Sequence, residues 1–241
     1  MKRIGVIAIG LLLFSHAASA ATWSIISISV APGNAPAVVQ AMDTLMNSKA
    51  GKEFPGRLFL QTNVADGDDP STHGIVPVYN TAADREEFVS KLQADPAWAT
   101  FQGTLAALSD PVSSVMYRTV QRWGDISDDD IVWRLHFFDV ADPAAFLSAL
   151  DTFLNSKAGK KFKGQIFLST VVAGGLSPVS HVISVGQESE AAVEEWQMSL
   201  QGDDDWAKYL EASEAAAEYL GNNMVRTLRA WGASLDDVTK P

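Results

Sequence analysis

The chain has no cysteine, which excludes disulfide bonds and thiolate chemistry. Its fold must therefore be held together by an apolar core, and 47% hydrophobic residues make that feasible. Basic residues are scarce too: 18 lysines and arginines face 29 acidic residues, for a formal net charge of −11. Such a surface repels nucleic acids and anionic lipids, so we expect no nucleic-acid partner.

The chain also lacks a long apolar run outside its N-terminal region. Lys2 and Arg3 precede an apolar stretch at residues 4–14, and Ala18-Ser-Ala20 matches the small-x-small pattern of signal peptidase sites. The stretch is too short to serve comfortably as a permanent membrane anchor. We therefore expect residues 1–20 to be a signal peptide, and the protein to be periplasmic or secreted with no stable membrane anchor.

Familiar catalytic signatures are absent. The sequence has no nucleophile elbow, dinucleotide fingerprint or zinc-binding spacing. Residues 47–52 look like a phosphate loop but lack its spacing, so a helix C-terminus is the better interpretation. The acidic runs 125–130 and 202–205 lack the regular oxygen spacing of an EF-hand and are read as solvated loops. No metal site is predicted.

What the chain does contain is a duplication. The segment that begins at Asn47 returns at Asn155, and the separation of 108 residues holds without a gap down to Trp123-Gly124 and Trp231-Gly232. Each copy alternates strand-like and helix-like periodicity in the order β-α-β-β-α-β, which is the ferredoxin-like order. We predict repeats at residues 21–124 and 131–232, an acidic linker at 125–130 and a C-terminal tail at 233–241.

Local periodicity also predicts where the last elements of each repeat lie. The closing strands are expected at residues 112–123 and 223–231. In the second repeat, the helical pattern before the closing strand covers residues 191–220, with a break at 202–205. In the first repeat, a long helix towards Leu108 is interrupted near Asp95-Pro96.

A four-stranded ferredoxin-like sheet covers one face with helices and leaves the other face bare. Two copies can place their bare faces together and close an eight-stranded barrel. This arrangement resembles the dimeric α/β-barrel superfamily, to which antibiotic-biosynthesis-type monooxygenases, stress-responsive barrel proteins and NIPSNAP-like proteins belong. An acidic-x-Trp motif, at Asp95-Pro-Ala-Trp98 and Asp204-Asp-Trp206, adds to the resemblance. We predict an α+β, pseudo-dimeric barrel that can be a monomer, since one chain supplies both halves.

The resemblance has implications for chemistry. Cofactor-independent monooxygenases of this kind line the barrel with Asn, Trp, Tyr and Arg to orient a phenolic substrate. Asn63, Trp98, Tyr79 and Arg118 supply these residue types, although they match no family motif position by position. Haem also occurs in the superfamily, but no histidine can be assigned as an axial ligand from spacing. We predict no cofactor, with haem left open.

Strand alternation separates two faces of the second strand in each repeat. One face is aliphatic and suits the helices: Leu58, Leu60 and Val64, with Ile166, Leu168 and Val172 in the second copy. The other face mixes aromatic and polar side chains, as expected of a barrel lumen that encloses one ligand. The predicted ligand-binding residues are Phe59, Gln61, Asn63, Tyr79, Arg134 and Phe167.

Histidines are the candidate catalytic residues. His73 and His181 occupy equivalent positions at the start of the third strand. A paired structural role, acid–base catalysis or ligand contact at a pocket mouth, and metal binding all stay open for them. His136 has no histidine counterpart, because Ile26 takes its place in the first repeat if Trp23 is matched to Trp133. Arg134 lies on the same face as His136, and a charge in a lumen would need an anionic partner.

Three functions are compatible with these features. The first is an exported protein whose barrel binds a small apolar or aromatic molecule. The second is a cofactor-independent monooxygenase or cyclase that acts on a phenolic or polyketide-like substrate, with His73, His136 or His181 as the base. The third is a structural envelope protein whose lumen is filled with side chains.

Overall fold

The fold is described from a computed structural model, which covers residues 21–174 and 178–240. The predicted signal peptide lies outside the described residues. The first repeat consists of β1 (Thr22–Val30), α1 (Ala35–Met46), β2 (Arg57–Ala65), β3 (His73–Tyr79), α2 (Ala82–Gln93), α3 (Pro96–Leu108) and β4 (Ser109–Gly124). The second consists of β5 (Val132–Val140), α4 (Pro143–Leu154), β6 (Gln165–Ala173), β7 (His181–Gln187), α5 (Glu190–Ser199), α6 (Asp204–Ala216) and β8 (Ala217–Gly232). A short helix, α7 (Leu235–Thr239), follows.

The strands form one closed barrel in the order β1-β3-β2-β8-β5-β7-β6-β4. Every pairing in the barrel is antiparallel. Strand β4 pairs with β1 of its own repeat and with β6 of the other repeat. Strand β8 does the same with β5 and β2. The predicted pseudo-dimeric barrel is thus confirmed, and two shared strands join its halves.

Two boundaries differ from the sequence prediction. Strand β4 begins at Ser109 and β8 at Ala217, earlier than residues 112 and 223. Their first residues pair with the ends of β1 and β5, through Val30↔Ser109 and Val140↔Ala217. The helical prediction for residues 217–220 is therefore wrong, because strand pairing overrides the local helix propensity of alanine and glutamate there.

Acidic residues divide the long helical stretch of each repeat. Asp95 precedes Pro96, and its Oδ1 accepts a hydrogen bond of 2.8 Å from the Ala97 amide at the start of α3. Asp203 caps α6 in the same way, accepting from the Trp206 amide at 3.0 Å. Capping by a carboxylate satisfies amides that the first helical turn leaves unpaired. The predicted breaks are therefore two helix starts.

Aromatic side chains fill the barrel lumen. Trp23 stacks on Tyr117 with ring centroids 4.3 Å apart, and Trp133 lies against Phe59 and Phe167. The remaining space in the lumen is a cavity of about 60 Å³. Helices cover the outside of the barrel and pack on Leu58, Leu60, Ile166 and Leu168. The predicted assignment of the two faces of β2 and β6 is correct.

Helix α7 closes one end of the lumen. Leu235 and Val238 are buried with the lumen side chains. The helix is held by the linker, where Asp128 Oδ1 accepts a 3.1 Å hydrogen bond from the Leu235 amide and forms a 3.3 Å ion pair with Arg57. A second ion pair, 2.9 Å long, joins Arg122 to Asp236. The segment predicted as a tail thus contributes to the core.

The repeated Trp-Gly dipeptide has a steric explanation. Gly124 and Gly232 adopt positive φ angles of 84° and 91°, a region that side chains disfavour. A Cβ atom at Gly124 would lie 2.1 Å from the carbonyl oxygen of Gly164. At Gly232 it would lie 2.1 Å from the oxygen of Gly56. Both contacts join a shared strand to the entry of its partner strand in the other repeat.

We therefore expect Gly124→Ala to lower the free energy of unfolding by at least about 2 kcal/mol, because it adds backbone strain and a clash. Gly103→Ala is the matched control, since nothing lies within 4 Å of a Cβ there. This exposed helical position should gain up to about 1 kcal/mol. Urea unfolding monitored by tryptophan fluorescence measures both; equal stabilities of the two variants would contradict the prediction.

Candidate functional site

Each repeat encloses a cavity between the outer face of its strands and its helices, outside the lumen. The repeat-1 cavity has a volume of about 530 Å³ and lies under α1, α2 and α3. The repeat-2 cavity, of about 360 Å³, lies under α4, α5 and α6. The volumes match those of small-molecule sites. Two spaces large enough for a ligand therefore lie beside the barrel sheet and not inside the lumen.

The repeat-1 cavity is predominantly apolar. Its walls include Met42, Leu45, Leu58, Ile75, Phe88 and Phe101. Ile26 projects from β1 into this space and stays 37% exposed, which shows that the cavity is open. Polar groups are few, notably Arg85 on α2 and Tyr79 on β3. Burial raises the pKa of Tyr79 to about 12, so its hydroxyl stays protonated.

The repeat-2 cavity carries a polar cluster. Arg134 and His136 come from β5, and Tyr219 comes from β8. Arg134 Nη2 donates a 3.1 Å hydrogen bond to Asn222 Oδ1, and Asn222 Nδ2 donates a 2.7 Å bond to the Tyr219 hydroxyl. With its carboxamide oxygen turned inward, Gln197 of α5 also accepts from Arg134 Nη2 at 3.2 Å. These contacts fix the guanidinium beside the apolar interior.

Neutral acceptors alone surround the guanidinium of Arg134. Within residues 21–174 and 178–240, no carboxylate forms an ion pair with it, and its Nε is buried without a hydrogen-bond partner. Burial lowers the pKa of Arg134 from its usual value, but an arginine keeps its charge at neutral pH. The cavity therefore presents a positive charge with unused donor capacity.

His136 is uncharged at neutral pH. Burial, and then the nearby charge of Arg134, lower its pKa from 6.5 to about 4. Its ring centroid lies 6.1 Å from that of Tyr219. A neutral imidazole can accept a proton at one nitrogen and donate a hydrogen bond from the other. The cluster therefore combines a cation, a neutral base and a phenol.

Repeat 1 lacks each member of this cluster. Alignment of the repeats places Ser24 at the position of Arg134 and Ile26 at that of His136. Pro111 and Ser114 take the positions of Tyr219 and Asn222. The two cavities share their location and differ in chemistry. Comparison of the two repeats in the sequence could therefore have identified the whole cluster. The sequence prediction includes only Arg134 and His136, and it misses Tyr219 and Asn222.

The predicted ligand-binding residues lie in several places. Phe59, Gln61 and Phe167 border the lumen, as predicted, whereas Tyr79 borders the repeat-1 cavity. Asn63 holds the β2–β3 turn through 2.9 Å hydrogen bonds to Asp66 and to the Ser71 carbonyl oxygen. The expectation that Arg134 lies in the lumen is wrong. Alternation along β5 turns it to the helix side with His136, while Trp133 faces inward.

His73 and His181 have matching local contacts. Nδ1 of His73 lies 2.8 Å from the Thr72 hydroxyl, and Nδ1 of His181 lies 3.0 Å from the Ser180 hydroxyl. The same hydroxyls accept from the amides of Val30 and Val140, so each histidine is tied to the end of the adjacent strand. Burial lowers the pKa of both imidazoles. The described cavities bring neither of them together with His136.

Two kinds of feature are absent from residues 21–174 and 178–240. No group of three or more His, Cys, Asp or Glu side chains there could hold a metal ion. No helix in this part of the chain combines the length and apolar character needed to cross a membrane.

No protein-family model and no curated protein matches the sequence. Solved structures do match. A candidate monooxygenase from Lactobacillus acidophilus NCFM has a TM-score of 0.64 at 11% identity, with 90% of this chain and 97% of that chain covered. An anthrone oxidase-like protein has a TM-score of 0.57 at 10% identity, with 90% and 94% covered. These matches confirm the predicted fold, a pseudo-dimeric α/β barrel built from two ferredoxin-like repeats.

A heme-binding protein from Thermus thermophilus also matches, with a TM-score of 0.52 at 11% identity, covering 87% of this chain and 91% of that chain. The cavities described above do not fit a histidine-ligated haem. His136 borders the smaller cavity, of about 360 Å³. The larger cavity, of about 530 Å³, has no histidine in its lining. The histidine that could ligate the iron, His136, and the larger cavity, which would have to hold the macrocycle, are thus in different repeats.

The low pKa of His136 makes stability depend on pH. Above about pH 6.5 the ring is neutral in the folded and unfolded states, so it adds no pH dependence. As the pH falls from 6.5 towards about 4, the unfolded chain binds a proton that the folded chain does not, and stability decreases. Between pH 7 and pH 4 the wild type should lose up to about 3 kcal/mol more than His136→Gln.

Urea unfolding of both proteins at pH 7, 6, 5 and 4 measures this difference. The comparison cancels the titration of the carboxylates, which the variant retains. Parallel stability curves for the two proteins would show that His136 titrates normally in the folded state.

Proposed function

We propose that this protein binds a small apolar or aromatic molecule in the repeat-1 cavity. The observation that carries the proposal is an open, largely apolar space of about 530 Å³ beside a lumen that retains only about 60 Å³. Ile26, in the middle of β1, has a partly exposed side chain. A ligand that covered this side chain would bind favourably, since burial of apolar surface lowers the free energy. The proposed site therefore lies beside the barrel and not within it.

The few polar groups of the cavity would orient such a ligand. Tyr79 offers a protonated hydroxyl, and Arg85 and Gln93 supply donors from α2. An apolar wall with a small number of placed polar groups is the usual composition of a small-molecule site. Export to the periplasm or the medium belongs to the same proposal and is supported by the signal-peptide pattern of residues 1–20. We expect a monomer, since one chain closes the barrel.

Binding can be tested with N-phenyl-1-naphthylamine, a neutral apolar fluorophore. We expect its fluorescence to rise on binding, because the cavity excludes water from the dye. Ile26→Trp should place an indole ring in the space that the ligand would occupy and weaken binding at least about tenfold. Ile26→Leu conserves the volume and should bind as the wild type does. Unchanged binding to Ile26→Trp, or no binding to the wild type, would contradict the proposal.

A second candidate function is oxidation of a phenolic or enolic substrate in the repeat-2 cavity. It is favoured by a neutral His136 beside Arg134, which has no carboxylate partner among the described residues. The fold neighbours named as a monooxygenase and as anthrone oxidase-like support it. His136 would accept the substrate O–H proton, and the resulting oxyanion would lie against the guanidinium. That contact offsets the low basicity of the imidazole. Molecular oxygen would accept the electrons.

Anthrone provides a balanced test reaction, because anthrone and O₂ give anthraquinone and water. We expect oxygen consumption and anthraquinone formation to fall about 100-fold or more in His136→Gln if the imidazole is the base. His73→Gln removes a histidine outside the cavity and serves as the control. Equal rates for the wild type and His136→Gln would remove the proposed role of His136. If the dye also failed to bind, the two results together would favour the third function, that of a structural envelope protein.

A further inference from the structure

Three features of the repeat-2 cavity call for a ligand different from that of the repeat-1 cavity. Among the described residues, the guanidinium of Arg134 has only neutral partners, namely Asn222 and, with its carboxamide oxygen turned inward, Gln197. Its Nε is buried and unpaired. The hydroxyl of Tyr219 accepts its bond from Asn222, so its own proton is available for donation. All three offer donors, and none offers negative charge.

The cluster lies at the rim of the cavity. Tyr219 is 51% exposed, and Asn222 and Gln197 are exposed as well, whereas Arg134 and His136 are partly buried. Below the rim the walls are aromatic and aliphatic, including Phe138, Phe153, Trp196, Trp206 and Tyr209. An amphipathic ligand would thus place an anionic end at the rim and a flat apolar body inside.

We propose that the repeat-2 cavity binds a small aromatic carboxylate, with its carboxylate on Arg134 and Tyr219 and its ring among the buried aromatic side chains. A planar carboxylate matches the paired donors of a guanidinium, and such charge-assisted bonds are stronger than neutral ones. The available space, about 360 Å³, suits a ligand with one or two fused rings.

The charged and titratable groups that border the cavity are compatible with an anion. Strand β5 contributes Arg134 and His136, β8 contributes Tyr219, and α6 contributes Tyr209 and Glu214. The remaining walls, from α4, α5, β6 and β7, contribute none of these. Glu214 is exposed and forms no ion pair with Arg134 within the described residues. Burial raises the pKa of Tyr209, so it stays neutral.

This site goes beyond the apolar ligand of the repeat-1 cavity and requires no turnover. It also differs from anything that repeat 1 could hold at the equivalent place, because Ser24 and Pro111 replace Arg134 and Tyr219 there. The repeat-1 cavity has its own cation, Arg85, but on a helix instead of the sheet. Any test must therefore separate the two cavities.

The experiment measures 2-naphthoate binding by calorimetry at pH 7 in the Ile26→Trp variant, in which an indole ring obstructs the repeat-1 cavity. The neutral isostere 2-naphthamide is measured alongside. We expect 2-naphthoate to bind at least about tenfold more tightly than the amide, because only the carboxylate pairs with the guanidinium. Adding Arg134→Gln should remove this preference and leave the amide affinity unchanged.

Lys208→Gln is the charge control, since it removes the same charge from an exposed side chain of α6. It should leave the preference for 2-naphthoate intact. Equal affinities for acid and amide, or a preference that survives Arg134→Gln, would overturn the proposal. Naphthoate binding that is lost on Ile26→Trp alone would place the site in repeat 1 and overturn it too. Thermal unfolding of each variant confirms that it is folded.

Discussion

The structure depends on the pairing of two strands that each belong to both repeats. The inner face of each ferredoxin-like sheet is aromatic, and β4 and β8 help to remove it from water by pairing over part of their length with the opposite repeat. The shared strands close the barrel and bring the bare faces together around aromatic side chains. Gly124 and Gly232 allow the close backbone approach at each junction. Without these pairings the barrel would not close around the lumen.

A filled lumen leaves little room for a ligand inside the barrel, and larger cavities lie outside it. Trp23, Phe59, Tyr117, Trp133 and Phe167 occupy the interior, and α7 covers one end. The repeat-1 and repeat-2 cavities lie between the helices and the outer face of the sheet. Because the lumen packs like an ordinary core, the strands are a rigid base, and side chains on their outer faces have fixed positions. Arg134 and His136 are presented in this way, on a strand and not on a loop.

Much of the fold is predictable because the sequence shows both the internal duplication and the alternation of side chains along the strands. The repeat order and the two faces of β2 and β6 follow from periodicity, whereas the barrel is predicted from the two bare sheet faces and from a family resemblance. The start of β8 does not, since Ala217 and Glu218 have local helix propensity and are strands only through pairing with β5. The site is predictable in part: sequence reasoning identifies Arg134 and His136 but assigns them to the lumen. Strand alternation shows which residues share a face. It does not show whether the face with Trp133 or the face with Arg134 lines the lumen.

Fusion of the two halves has a consequence for how this protein can change. In a homodimeric barrel every substitution appears twice, so a guanidinium introduced into one cavity would enter its mate as well and carry its desolvation cost both times. A single chain is free of that symmetry. One cavity can acquire Arg134, His136 and Tyr219 while the other keeps Ser24, Ile26 and Pro111. The tandem chain can therefore specialise its halves independently, which a pair of identical subunits cannot do.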